Sequence, residues 1–577
     1  MAARTLIWAV LGAACLAGCA ATGLASSLQR TTASGPVVGV DASRSDGTLS
    51  WKGLPFAAPP VGALRWRAPA DPAPWTQPRA ADRFAAACVQ TGRLYGPGLN
   101  NRYDATIGST LGQTLGSEDC LYLNVWTPAE RAAAPRPVIV FVHGGSNITG
   151  YTADPVYDGA ALARTAGAVV VTVNYRLGIF GFLDLPALKT GNAQDDSGNF
   201  ALLDIVKALE FVQRDIAAFG GDPARVTLMG QSAGAVNVYA LLASPMLAAR
   251  TQPLFHRVIA LSGGISTAAS LPRGAIPGVL PRSVWSTRGQ ALLAQSLVAD
   301  GSAADAAAAT ALAATRSAAE HAAYLRARTP DQLLTVVRTR LAPLGMSASN
   351  PIPDGVVVAA DPIAAIRAGQ YVRVPVLAGI TRDETKLFPQ LLALRPDLGG
   401  VSGRLLDDAA VFRLAHGYDA EAPPASRIED WVPAAYLPAD RPATGFDART
   451  RELNRLWFEA IRDDVLGALR SRQDAVWGYR FDWDALPPPF DVVFGAAHTF
   501  DLPFVFGNFG PSLYARIAFT RANEPGRLAL SRVMMQSVGT FAATGDPNTP
   551  ALGTRWPAWP GRMVFDADAR RAEIRAE

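Results

Sequence analysis

The chain has 577 residues, 49% of them apolar, and a formal net charge of +4. That much apolar chain can bury a large core, and the length fits either several average domains or one large α/β fold. The four lysines (Lys52, Lys189, Lys207 and Lys386) are scattered, the rest of the positive charge is dispersed arginine, and no basic run carries interleaved aromatics, so no nucleic-acid partner is expected.

The first element is a targeting signal. Arg4 makes a short positive start, and residues 6–17 form an apolar stretch too short to span a bilayer. The stretch runs into Leu16-Ala17-Gly18-Cys19, which resembles the lipobox of bacterial lipoproteins. In that family the cysteine is lipidated and becomes the new N-terminus. The resemblance therefore implies a signal peptide at 1–18, lipidation of Cys19, and a lipid anchor to a membrane. Ala20 in the next position, in place of aspartate, implies the bacterial outer membrane. An ordinary cleaved signal with an incidental cysteine is the alternative, with a periplasmic or secreted product. Residues 19–35 read as a flexible tether, and 36–577 as a single folded domain. No later segment reads as transmembrane.

Export makes the cysteines readable. Cys15 is lost with the signal and Cys19 is taken by lipid, leaving Cys88 and Cys120 as an even pair in an oxidising compartment. A bridge between them closes a loop of roughly 30 residues, worth about 3–4 kcal/mol by chain entropy. Two buried free thiols are the alternative.

Downstream, unbroken apolar runs alternate with longer helix-compatible stretches. Residues 137–142 read as a buried strand, followed at once by His143-Gly144-Gly145-Ser146-Asn147. Glycines here let backbone N–H groups face a developing oxyanion. A strand at 168–173 and a helix over 199–219, with Leu202, Leu203, Ile205, Leu209, Val212 and Ile216 at helical spacing, come next. The strand at 226–229 leads into Gly230-Gln231-Ser232-Ala233-Gly234. A strand turning into a helix around a serine is a nucleophile elbow, and its glycines answer to strain and crowding. Further strands are expected at 258–261, 374–378 and 475–481. Such runs separated by helices indicate a mostly parallel sheet covered on both faces. Long insertions at about 266–372 and 388–470 interrupt the alternation. They read as walls and lid of a pocket over the carboxyl ends of the strands. Phe388 and Phe490 are candidate pocket aromatics, with core packing the plainer reading.

A serine hydroxyl needs a base within reach. In α/β-hydrolases the chain order is nucleophile, acid, histidine. Of five histidines, His143 comes too early and His256 follows too closely. His321 sits in an alanine-rich helical stretch and is expected to be exposed, and His416 lies in an insertion. His498, in a loop after the last strong strand, remains. For the acid, Asp383 and Glu384 both follow the strand at 374–378, and spacing does not choose between them. His143 reads as structural, and Ala233 offers a further N–H after the nucleophile.

At this point the sequence resembles the type-B carboxylesterases, the family of para-nitrobenzyl esterases and cholinesterases. The similar stretches cover nearly all of the mature chain. They include Gly53-Leu54-Pro55-Phe56-Ala57, Leu64-Arg65-Trp66, Ser117-Glu118-Asp119-Cys120-Leu121-Tyr122-Leu123-Asn124-Val125-Trp126 and Asn174-Tyr175-Arg176. The elbow and His498-Thr499-Phe500-Asp501-Leu502-Pro503-Phe504-Val505-Phe506-Gly507 fit as well. The resemblance implies an α/β-hydrolase fold, a small-molecule ester substrate, and no metal or organic cofactor. It implies Ser232 as nucleophile, Glu384 as acid and His498 as base, with Gly145, Ser146 and Ala233 as oxyanion donors. It also implies a Cys88–Cys120 disulfide.

The sequence departs from the family where Ser146 stands in place of a third glycine. Its N–H can still donate, while its side chain is expected to alter tolerance for bulky alcohols. Thr385 and Phe211 depart as packing variation. A non-catalytic surface recognition module, or an acyltransferase, is the alternative on the same scaffold.

Overall fold

The apolar runs of the sequence become neighbouring strands of one eleven-stranded sheet. The fold is that of a computed structural model, which describes residues 28–388, 391–392, 395, 408–422 and 426–577. In chain order the strands are β1 (Val40–Ala42), β2 (Thr48–Pro55), β3 (Tyr122–Pro128), β4 (Arg136–Val142), β5 (Val169–Val173), β6 (Gly221–Gln231), β7 (Arg257–Leu261), β8 (Val376–Thr381), β9 (Val476–Phe481), β10 (Arg562–Ala567) and β11 (Ala572–Ala576). Their spatial order is β11-β10-β9-β8-β7-β6-β4-β5-β3-β2-β1. The seven strands from β5 to β10 are parallel to one another. The edges are antiparallel, with β3 on β5, β2 on β3, β1 on β2 and β11 on β10. This large, mostly parallel sheet flanked by helices is the α/β-hydrolase fold.

Period-two geometry divides the strand side chains between two cores. Val138, Val140 and Val142 of β4 enter one core with Leu202, Ile205 and Leu209 of helix α2 (Phe200–Asp215). Ile139 and Phe141 enter the other, with Leu162 of α1 (Ala160–Ala166) and Val538 and Phe541 of the C-terminal helix Glu524–Thr544. Branched side chains on both faces explain why these strands read as continuous apolar runs. The expected helix over 199–219 is α-helical to Asp215 and finishes as a 3-10 turn at Ile216–Phe219.

Several motif residues hold the frame. Asn124 on β3 donates to the Thr172 hydroxyl at 3.0 Å and accepts from the Gly53 N–H at 2.9 Å. The Arg176 guanidinium meets Asp204 of α2 at 2.6 Å with both side chains buried. Arg65 grips Glu118 with two guanidinium nitrogens, joining the two N-terminal signatures. A disulfide links Cys88 to Cys120. The signal peptide, Cys15 and Cys19 lie outside the described residues. Among those described, no helix is long and apolar enough to cross a membrane.

Candidate active site

Strand β6 ends at Gln231 and helix α3 (Ala233–Leu242) begins two residues later. Ser232 joins them with φ 56° and ψ −124°. Side-chain-bearing residues pay on the order of 1–3 kcal/mol for such a backbone. The flanking glycines are required by contact. A Cβ on Gly230 would lie 2.4 Å from the Gly234 carbonyl oxygen, and one on Gly234 would lie 2.1 Å from that of Val142. The Ser232 N–H donates to Leu261 of β7 at 2.8 Å, which fixes the turn against the neighbouring strand.

The loop after β4 stands beside this elbow. Gly145 has φ 97°, and Ser146 and Asn147 have φ 56° and 57°. Asn147 is fully buried and exchanges side-chain hydrogen bonds with Asn237 of α3 at 2.8 and 3.2 Å. Its carbonyl accepts from the Gly178 N–H at 2.7 Å. The loop is thus fastened to the helix that follows the serine. Ser146 is exposed on the cavity side of the loop.

His498 lies in the loop after β9, and the Asp383–Ala497 bridge ties that loop to the end of β8. The two carboxylates left open by spacing go different ways. Asp383 accepts from Arg382 and from the Ala496 N–H at 3.1 Å. Glu384 is fully buried, accepts from the Thr381 N–H at 2.8 Å through Oε1, and meets His498 Nδ1 through Oε2. A carboxylate accepts, so Nδ1–H donates, and in the neutral imidazole the lone pair is on Nε2. The rings of Phe388 and Phe458 pack on the imidazole at centroid distances of 5.1 Å each.

The remaining histidines do other work. His143 is buried, stacks on Tyr175 at 4.6 Å, and approaches the Gly144 carbonyl with Nδ1 at 2.9 Å. Burial pushes its pKa down to about 4, so it stays neutral and braces the loop. His256 accepts from the Val226 N–H at 3.2 Å. His321 departs from expectation. It is half-buried, because the alanine-rich helices pack through Ala309, Ala322 and Leu325 against Leu292 and Leu297 and do not stand free in solvent.

Gly144, Gly145, Ser146, Ser232, Ala233 and His498 all face one cavity of about 1010 Å³. Both insertions wall it, the first through Ile276, Pro277 and Ser347–Asn350, the second through Phe388, Trp431, Phe446, Trp457, Phe458 and Ile461. The alanine-rich part of the first insertion is not among the lining residues. Leu94, Tyr95 and Leu111, from inside the disulfide loop, form a further wall that motif reading missed. Phe490 is fully buried against Tyr418 and Trp431 and belongs to the core. Among the described residues, no group of three or more His, Cys, Asp or Glu side chains is arranged to hold a metal ion.

Known proteins resemble the chain in sequence and in fold. The family model described as "Carboxylesterase family" matches residues 26–567. A para-nitrobenzyl esterase of Bacillus subtilis (strain 168) is 31% identical over 532 residues, 92% of each chain. A fumonisin B1 esterase of Sphingopyxis macrogoltabida is 32% identical over 551 residues, 95% of this chain and 88% of that one. Among solved structures, the Geobacillus stearothermophilus carboxylesterase EST55 at pH 6.2 superposes with a TM-score of 0.67 at 28% identity, covering 95% of this chain and 98% of its own. Matched along nearly its whole length in both sequence and fold, the chain belongs to the carboxylesterase family and is a carboxylic ester hydrolase.

Proposed function

We propose that this hydrolase cleaves esters through an acyl-enzyme on Ser232, with His498 as the base and Glu384 as the group that orients it. The observation that carries the reading is the buried Glu384–His498 contact, which lies behind a cavity faced by both the imidazole and Ser232. His498 Nε2 takes the Ser232 hydroxyl proton as Oγ attacks the ester carbonyl carbon. The carbonyl oxygen becomes an oxyanion, held by the N–H groups of Gly145, Ser146 and Ala233. Each such donor contributes on the order of 3 kcal/mol in serine hydrolases. His498 then returns the proton to the departing alkoxide, which leaves as alcohol. Water attacks the acyl-enzyme with the same base, releasing the carboxylic acid and restoring Ser232. Glu384 stabilises the imidazolium in both halves.

The cavity is large and mostly apolar, with Phe388, Trp457, Phe458 and Ile461 on one side and Leu94 and Leu111 on another. Such a site suits esters with bulky apolar groups, and Arg93, Tyr157, Asn350 and Lys386 add polar side chains to its wall. Ser232→Ala tests the assignment. Turnover of a para-nitrophenyl ester is expected to vanish while the thermal transition stays within a few degrees. Persistent turnover removes Ser232 from the mechanism.

We also propose that the enzyme is exported and held at the bacterial outer membrane by lipid on Cys19, on the strength of Leu16-Ala17-Gly18-Cys19. Cys19→Ala is expected to move it from the membrane fraction to the soluble one.

A further inference from the structure

Gln231 has no part in the chemistry just described, yet its side chain occupies the centre of the site. It is buried, faces the cavity, and brings its Nε2 to 3.2 Å from His498 Nε2. Its Oε1 lies on the opposite side, where a Cβ on Gly144 would come within 2.6 Å. The direction of the hydrogen bond follows from the other ring nitrogen. In the neutral ring, whose Nδ1–H donates to Glu384, Nε2 is the acceptor and the carboxamide N–H donates to it. Among the described residues, Gln231 forms the only hydrogen bond to Nε2. With the carboxamide in this orientation, a protonated imidazole would set N–H against N–H at this contact.

The charged groups around the ring engage other partners, except that the buried Oδ1 of Asp501 has none among the described residues. Glu384 occupies Nδ1. Asp501, from the same loop as His498, accepts from the Tyr479 hydroxyl at 2.7 Å. Asp383 is turned to Arg382, and Lys386 on the cavity wall pairs with Asp447 at 2.8 Å. Phe388 and Phe458 present only rings. Among the described residues, Gln231 is the one neutral polar group within hydrogen-bond distance of the reactive nitrogen.

We propose that Gln231 is a positioning residue, whose carboxamide holds His498 Nε2 over the elbow as an acceptor until bound ester brings the Ser232 hydroxyl into that place. The proposal rests on the Ser232–His498–Glu384 reading. Its consequence is an N–H donor set against the nitrogen that must take the Ser232 proton. A carboxylate in the same place reverses the effect, because it attracts the imidazolium.

The test is the pH profile of kcat/KM for a para-nitrophenyl ester in the unsubstituted enzyme, Gln231→Glu and Gln231→Met. Active sites are counted in each by stoichiometric reaction with a phosphonylating serine reagent, so that unfolded protein does not enter the rates. In Gln231→Glu the acid limb is expected to move up by about one pH unit or more, the size of effect an opposite charge has at this range. In Gln231→Met, which removes the donor without adding charge, it moves the same way by less. A role confined to packing would lower the plateau and leave the limb in place. Acid limbs that coincide in all three proteins overturn the proposal while leaving the triad standing. No acid limb in the unsubstituted enzyme, or turnover by Ser232→Ala, overturns both.

Discussion

Gly234→Ala is a one-methyl change whose cost can be worked from the structure. The new Cβ would lie 2.1 Å from the Val142 carbonyl oxygen and 2.7 Å from that of His143. Both are backbone atoms at the end of β4, where the chain enters the Gly144–Asn147 loop, so no side-chain rotation relieves the clash. To restore ordinary contact, the start of α3 must retreat from β4 by about 1 Å. That retreat separates Ser232 and Ala233 from the loop that carries Gly145 and Ser146. Overpacking of this kind costs about 1–3 kcal/mol of stability. A misplacement of about 1 Å at reacting groups costs about 100-fold in rate. Gly467→Ala is the control, since Gly467 is exposed in the helix Ala460–Arg470 and a Cβ there meets nothing within 4 Å. It is expected to raise stability by about 0.5–1 kcal/mol through helix propensity. The assay is para-nitrophenyl ester hydrolysis beside urea unfolding. Gly234→Ala is expected to lose about two orders of magnitude in kcat, and Gly467→Ala none. Unchanged kcat and stability in Gly234→Ala would show that the elbow and the loop are not held in contact as described.

Two further outcomes follow. Burial pushes the Asp501 carboxyl up from 3.8 to about 6, so the folded protein holds this proton longer than the unfolded chain does. The neutral form therefore supports folding fully below about pH 4, and its contribution is lost as pH rises through about 6. The difference amounts to about 3 kcal/mol at most. Asp501→Asn keeps an acceptor for the Tyr479 hydroxyl and removes the charge. Its stability relative to the unsubstituted enzyme is expected to rise between pH 4 and 7 in denaturant titrations, and a constant difference contradicts the burial argument. Ser146 carries a side chain in a left-handed conformation at the cavity wall. Ser146→Gly is expected to raise kcat/KM for esters of branched alcohols relative to ethyl esters by about tenfold, the scale of one group in a pocket. An unchanged ratio means the serine does not limit the alcohol side.

The core of the fold was legible because burial on both faces writes itself as uninterrupted branched and apolar residues. Strands β4 to β9 were found to within a few residues for that reason. The edges were not. β1 and β11 are short and mostly exposed, and β10 carries Arg562 and Asp566, so their alternation is masked by charge. At the site, chain order reduced five histidines to His498, but adjacent carboxylates are equivalent to any spacing argument. Only the turn after β8 aims Glu384 inward and leaves Asp383 to Arg382. The cavity wall from Leu94, Tyr95 and Leu111 was invisible because loop placement depends on tertiary contacts, here Arg93 with Asp408 at 3.0 Å. Gln231 was in plain view inside the elbow motif, and nothing but the position of the imidazole could show what it faces.

The central claim is that acyl transfer passes through Ser232. The most direct measurement is the mass of the protein during turnover of an aryl ester whose acyl group leaves slowly, followed by proteolysis and sequencing of the modified peptide. The account predicts one acyl group per active site, on Ser232, formed at the rate of the first phenolate release. An adduct on another residue, or steady turnover with no covalent intermediate on Ser232, would contradict it.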